Sequence, residues 1–579
     1  MEKIDFSHYH RYQELTDILK SLAESYPNLA TLHSIGKTPQ GRDLWVMEIT
    51  NKKTGASADK PAYWIDGNTH GGEVTGREVA LKTIWHLLSN YSSDPFVTDL
   101  IDTRCGYIMP AVNPDGAEIY LTTPYLGVAG GVPNPAFEDE FAEGLYEEDV
   151  NKDNEITVMR IKDPNGDWRV SEKDPRLMVK RKPEEKGGEY YRLYREGLIK
   201  NYDRKEISKT APGRWMSGSN RNWPSNWSPS QPGQAGKFPL WEKEARAIAD
   251  FFYEHKNIGA AMTYHTSGGI CMRPYVYWPD EHFHTSGLER DLALFNAIGA
   301  IGEELLKYPL TSPYEGMNRG KPARRPYGQG VSLDWWYEHW GIVMIGLELW
   351  DVMGRAGLGN YRERGGERAS VGPGGDMTEE QGLALLAWND KELGGAGFLR
   401  WTPFNHPQLG AVEIGGWKSK FVTSNPPPHL LESEIDKTMM WILKAAALTP
   451  LVKITSVKSI SLGEGLYKVE ATVENTGFMP TYITQQAIKI TSAQPVKVKI
   501  DVGNDAEVVA GKERMIIGNL EGNSDRLPGY PAYSVPGGKP EESKKTVEWI
   551  LRPKKTPAKV KILSMSEKGG KDLKEIELT

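Results

Sequence analysis

The chain is poor in cysteine. Cys105 and Cys271 are the only two among 579 residues, so disulfides carry little of the stability. It has no apolar stretch approaching the ~20 residues of a membrane span. It has no surplus of basic charge, and a formal net charge of −7 gives no nucleic-acid footprint. Its first residues, Met1 to Phe6, lack the features of a signal peptide. That leaves a cytoplasmic protein, or an exported one whose leader has been removed. What remains is a globular composition, 39% hydrophobic and 25% charged, long enough for two or three domains.

The most informative local pattern is His70-Gly-Gly-Glu73. The apolar run Ala62–Ile65 before it reads as a buried strand, broken by Asp66-Gly67-Asn68. Ala80, Ile84, Leu87 and Leu88 after it fit one helical face. The imidazole and carboxylate therefore emerge just past a strand end, where open α/β sheets place their ligand sites. Three residues apart, they can converge on one cation. Zinc accepts both donors, and a catalytic zinc has three protein ligands and an open position. An H-x-x-E pair also arises by chance in a chain this long.

Other short motifs follow in a fixed order: Asn113-Pro-Asp-Gly116, Asn220-Arg-Asn-Trp223, Tyr264-His265-Thr-Ser-Gly268 and Gly346-Leu-Glu348-Leu-Trp-Asp351. With the helix pattern from His10 and the strand pair around Ser34–Val46, this order resembles the zinc metallocarboxypeptidases of the carboxypeptidase A type. The resemblance runs from about Phe6 to Asp351, with long interruptions, and on to a last helix ending near Ala447. It implies an α/β fold, a mixed twisted sheet flanked by helices. No inhibitory prosegment is expected, since the first family helix starts almost at the N-terminus.

The resemblance also implies roles. His70, Glu73 and His265 would hold one zinc, His265 leaving the end of a second buried strand, Gly259–Tyr264. Glu348, near the end of the buried strand Ile342–Leu347, would be the general base and acid. A carboxylate in such a strand is costly unless paired or functional. Asp351 would have a supporting role. Asn220 and Arg221 would hold the substrate's terminal carboxylate, which a planar guanidinium grips through two hydrogen bonds. Tyr327 is the nearest match to a tyrosine that closes over substrate, one position off. Leu333 falls where a side chain lines the pocket for the terminal residue, which suggests an apolar or aromatic preference. An oxyanion arginine is expected between Asn-Pro-Asp-Gly and Asn-Arg-Asn-Trp, but a long insertion, about 120–219, fills that interval. Arg160, Arg176 and Arg181 are all candidates. The H-x-H pairs His8-Tyr-His10 and His282-Phe-His284 could hold metal, but read better as solvated surface histidines.

Within the insertion, Asp149, Asn151 and Asp153 alternate as in a calcium loop, though Arg160 stands where an EF-hand has its glutamate. A structural calcium site and a solvated acidic turn both fit. The rest of the insertion reads as hairpins on the rim of the site. The glycine- and arginine-rich segment Gly354–Gly375 follows Glu348 closely and is expected to border the active site. After Leu448-Thr-Pro450 the pattern changes. Tyr467, Val469, Ala471 and Val473 alternate with polar residues, as do Val496, Val498 and Ile500, and Val547, Trp549 and Leu551. Residues 451–579 thus read as an all-β sandwich of roughly immunoglobulin type beside a catalytic domain of residues 1–447. The tail holds no catalytic cluster.

Three functional readings follow. One is a zinc carboxypeptidase acting on peptides with a free C-terminal carboxylate. The alternative is a zinc amidase or peptidase of the same fold acting on cell-wall peptides or amino-acid conjugates. The third, an inactive binding module, sits poorly with retention of His70, Glu73, His265 and Glu348.

Overall fold

The apolar runs bounded by breakers become the strands of one eight-stranded mixed sheet. In the computed structural model, which describes residues 3–204, 207, 209–216, 218–229, 236–317, 328–368, 375, 377–526 and 542–579, these are β1 (Ala30–Lys37), β2 (Asp43–Ile49), β3 (Ala62–Gly67), β4 (Cys105–Met109), β5 (Ile258–Thr266), β6 (Ile270–Met272), β7 (Leu310–Thr311) and β8 (Val343–Leu349). Their spatial order is β1-β2-β4-β3-β5-β8-β6-β7. The central strands β4, β3, β5 and β8 run parallel. Such strands are covered on both faces, which is why β3 and β8 are buried at every position and read as continuous apolar runs.

Helices cover both faces. Tyr63, Ile65, Tyr264 and Leu347 share a core with α1 (Tyr12–Ser25), α2 (Thr75–Asn90), α4 (Glu289–Leu306) and α6 (Pro428–Ala446). Their alternating neighbours Ala62, Trp64, Ala261 and Met344 face α3 (Lys243–Glu254) and α5 (Ser332–Trp340). Gly76 is needed where α2 presses on the sheet, since a Cβ there would lie 2.5 Å from Cβ of Tyr264. Both cysteines are free and buried, in β4 and β6. Among the described residues, no helix is long and apolar enough to cross a membrane.

The antiparallel pairs expected of the insertion are present, built into a larger sheet. Its strands Val158–Lys162, Tyr191–Arg195, Trp168–Val170 and Met178–Lys180 extend a hairpin made of Phe398–His406 and Gly410–Trp417, giving a second, six-stranded sheet. Arg160 and Glu413 are register partners across its centre. Of the two readings open at Asp149, Asn151 and Asp153, the calcium site is not supported. The Asp149 carboxylate accepts from the N–H groups of Asp153 and Asn154, and Asn151 Oδ1 also accepts from Asp153 N–H. The alternating oxygens thus serve to fold the turn, with Asn154 at φ 67°.

The described strands between Val452 and Leu578 form two four-stranded antiparallel sheets that enclose one apolar core, including Val469, Val498, Trp549 and Ile562. The alternation read from the sequence is the burial pattern observed. This β-unit meets the α/β sheet at the end opposite His265. The Lys568 ammonium donates to the carbonyls of Lys256 and Ile258, at the start of β5. That lies seven residues, roughly 23 Å, before His265 along the strand. Burial lowers the Lys568 ammonium to about 8. Asp291 of α4 also receives the N–H groups of Gln485 and Gln486.

Candidate active site

Three parallel strands end at one edge, and each delivers part of the site. His70 and Glu73 lie on the loop between β3 and α2. Asn68, at φ 61°, turns the chain out of β3, and its amide donates to the carbonyls of His70 and Gly71. Asn425, just before α6, holds the other side of the loop through Thr75 and the Gly72 carbonyl. His265 and Glu348 are register partners on the neighbouring strands β5 and β8. By strand alternation they share a face with Asp66, Thr263 and Gly346.

One ligand atom from each of His70, Glu73 and His265 lies within 4.8 Å of the others. Nδ1 of His265 is 2.8 Å from Oε2 of Glu73, and the two imidazole rings are 5.3 Å apart. Two imidazoles and a carboxylate are a donor set of catalytic zinc, so these residues fit such an ion. Burial alone would raise the Glu73 carboxyl, but His70 and His265 hold it below its ordinary 4.5. Burial would lower His265, but Glu73 and Glu348 carry it above 6.5. Burial raises the Glu348 carboxyl above 4.5 against the pull of Arg368. Asp66, which sequence reading passed over as part of a breaker, is buried and accepts from the Thr263 hydroxyl and the Trp64 indole. Burial pushes its carboxyl up to about 6.

His70, Glu73, His265 and Glu348 open into a cavity of about 140 Å³ that also reaches Asn220, Arg221, Leu333 and Arg368. Oδ1 of Asn220 accepts from the N–H and hydroxyl of Ser332, at the start of α5. Its NH₂ is then the half of the amide suited to an anion. Met272, Val276, Val331 and Leu333 give the cavity an apolar side. Asp351 caps the turn after β8 and pairs with Arg364 at 2.8 Å. Tyr327 lies outside the described residues.

None of the three arginines anticipated from the insertion lines the cavity. Arg160 forms a two-pronged pair with Glu413 and lies over the rings of Tyr191 and Trp401. Arg176 is held by Asp174 and Asp390, and Arg181 by the Glu185 carbonyl and the Tyr190 ring. The cavity instead receives Arg368, from the segment after β8, with Nη2 3.0 Å from Oε1 of Glu348. Gly268 makes room, since a Cβ there would lie 3.1 Å from Nε of Arg368. The expectation that this segment borders the site therefore holds at Arg368. Oε2 of Glu348 is buried and has no hydrogen-bond partner among the described residues. The reading of His8-Tyr-His10 as a solvated pair is also corrected at His10, which is 1% exposed and bonded to Glu78.

Residues 15–178 and 191–357, over half of the chain, match the zinc carboxypeptidase family. Residues 451–577 match a domain of unknown function, DUF8731. Carboxypeptidase D of Anas platyrhynchos is 40% identical over 118 residues, which is 20% of this chain and 8% of that protein. Carboxypeptidase M of Mus musculus is 41% identical over 115 residues, 20% of this chain and 26% of that protein. The aligned stretches thus span well under two thirds of these relatives. Among solved structures, bovine thrombin-activatable fibrinolysis inhibitor in complex with tick carboxypeptidase inhibitor aligns at 16% identity and a TM-score of 0.40, covering 76% of this chain and 97% of that one.

Proposed function

The chain belongs to the zinc carboxypeptidase family, and from that premise we propose that it is a metallocarboxypeptidase that removes the C-terminal residue of peptides. The observation that carries the reading is the convergence of His70, Glu73, His265 and Glu348 on one cavity with Asn220 and Arg221. His70, Glu73 and His265 would hold the zinc. When bound, zinc supplies Lewis-acid polarisation and lowers the pKa of water to roughly 7. Glu348 accepts a proton from the attacking water and returns it to the departing amine. Its raised pKa suits both halves of that task. Arg221 and the Asn220 amide bind the terminal carboxylate, and the apolar wall beside Leu333 receives an apolar terminal side chain. We assign to Arg368 the cation that faces the scissile carbonyl, the place expected of an insertion arginine. Residues 451–579 form an accessory domain that braces the far end of the sheet.

Arg221→Ala tests exopeptidase character. A charged hydrogen bond contributes about 1.5–3 kcal/mol, so kcat/KM on free-acid peptides should fall roughly 10- to 100-fold. C-terminally amidated peptides, poor substrates of the parent, should be little affected. If the parent cleaves amidated and free-acid peptides equally well, carboxylate recognition is wrong and the amidase reading replaces it.

Arg368→Gln tests the electrostatics. The guanidinium favours the ionised form of Glu348, opposing burial. Its removal should therefore move the acid limb of the kcat/KM profile to higher pH. An unmoved or lowered limb would show that Arg368 does not act on Glu348 in solution.

A further inference from the structure

The stretch before α1 carries a second group of donors that the peptidase reading does not use. His8, His10 and Glu14 each offer a ligand atom within 4.8 Å of the others, the spacing also found for His70, Glu73 and His265. The rings of His8 and His10 are 4.7 Å apart. Nε2 of His8 is 3.0 Å from Oε1 of Glu14, in the first turn of α1. A solvated ion pair would account for these two residues, whose side chains are each 44% exposed. It does not account for His10, which is buried with Nδ1 2.6 Å from Oε2 of the fully buried Glu78. A carboxylate on one ring nitrogen fixes the tautomer and makes the other nitrogen a better donor, as it does for histidines that bind metals. With Nδ1 bonded to Glu78, Nε2 is the nitrogen that His10 would offer a metal.

The surrounding charge permits a cation. Asp5 lies 3.7 Å from Nδ1 of His8. Arg77, buried with Nε 3.5 Å from Glu78, takes up part of that carboxylate's charge, and Arg11 is engaged by Glu118 at 2.7 Å. The N-terminus of α1 disfavours a cation, and Glu14 counters it there. Asp5, Glu14 and Glu78 against Arg77 leave the cluster negative.

We propose that His8, His10 and Glu14 form a second site for a divalent metal of borderline softness, zinc or a similar ion, which ties the N-terminal stretch to α1 and, through Glu78, to α2. Two imidazoles and a carboxylate select such ions over calcium or magnesium, which take oxygen ligands. Water or Asp5 completes the shell. The site is independent of peptide hydrolysis.

The test is zinc titration of the metal-stripped full chain, read as zinc bound per chain and as the zinc-induced rise in melting temperature. The parent should bind two ions. His8→Asn and Glu14→Gln, both at exposed side chains, should each bind one and keep parental turnover. Glu78→Gln should weaken this site alone, by about 10- to 100-fold. His70→Ala should remove the other ion and leave this one. The proposal is overturned if His8→Asn and Glu14→Gln bind as much zinc as tightly as the parent. It is equally overturned if the parent takes up a single ion that His70→Ala abolishes.

Discussion

Stripping the protein with a chelator is expected to abolish peptide hydrolysis, and zinc is expected to restore it. This is the largest effect the site implies, because the three donors converge and nothing else in the cavity replaces the chemistry they would support. His70 and Glu73 come from one loop and His265 from the adjoining strand, so a cation there also crosslinks β3, β5 and the start of α2. Glu73 and His265 already form a close pair, with the carboxyl held below and the imidazole above their ordinary values. A metal must displace the proton on that pair, so zinc affinity should fall as pH is lowered. His8→Asn should not alter the recovery of turnover, which separates this ion from the second site. Full activity in a demonstrably metal-free sample would remove His70, Glu73 and His265 from the mechanism.

Glu348→Gln should lower turnover by at least about 10²-fold, the usual scale for loss of a general base. The amide has nearly the same shape and can still accept from Arg368 through its oxygen, but it cannot take a proton from water. Zinc content should be unchanged, since Glu348 is not among the proposed ligands. The melting temperature should hold or rise, because the substitution removes a buried carboxylate whose ionisation burial opposes. These readouts separate a chemical loss from a folding defect. Near-normal turnover would pass the role to another carboxylate. Glu73 is the other one lining the cavity among the described residues.

Much of the site is legible in the chain because its chemistry is attached to local signals. A buried parallel strand reads as an apolar run, and the residue that ends it stands at the sheet edge where ligands bind. His70, His265 and Glu348 could each be placed this way. The clean alternation at Val469–Val473 likewise marks a half-buried antiparallel strand, and burial follows it. Composition alone indicated that disulfides would contribute little, and the two cysteines are free.

Local signals fail where a contact is decided by distant residues. The interval between two motifs offered Arg160, Arg176 and Arg181 alike, but Arg160 meets Glu413, 253 residues away, and the aromatic faces of Tyr191 and Trp401. Those partners satisfy its charge within the second sheet. Arg368, from the segment after β8, reaches Glu348 through a gap left by Gly268. The oxygens of Asp149, Asn151 and Asp153 have the spacing of a cation loop, yet backbone N–H groups take them up. His10 looks like half of an exposed pair until α2 brings Glu78 beneath it.

The sequence by itself determined which strands are buried, where His70, Glu73, His265 and Glu348 emerge, and that the tail is a separate run of alternating strands. Only the tertiary structure decided which arginine faces the base, which sheet the insertion joins, which end of β5 the tail braces, and which histidines have a carboxylate behind them. The physical reason is range. Periodicity and strand ends are fixed by a few neighbouring residues, whereas burial and pairing of a charge depend on which distant segment packs against it.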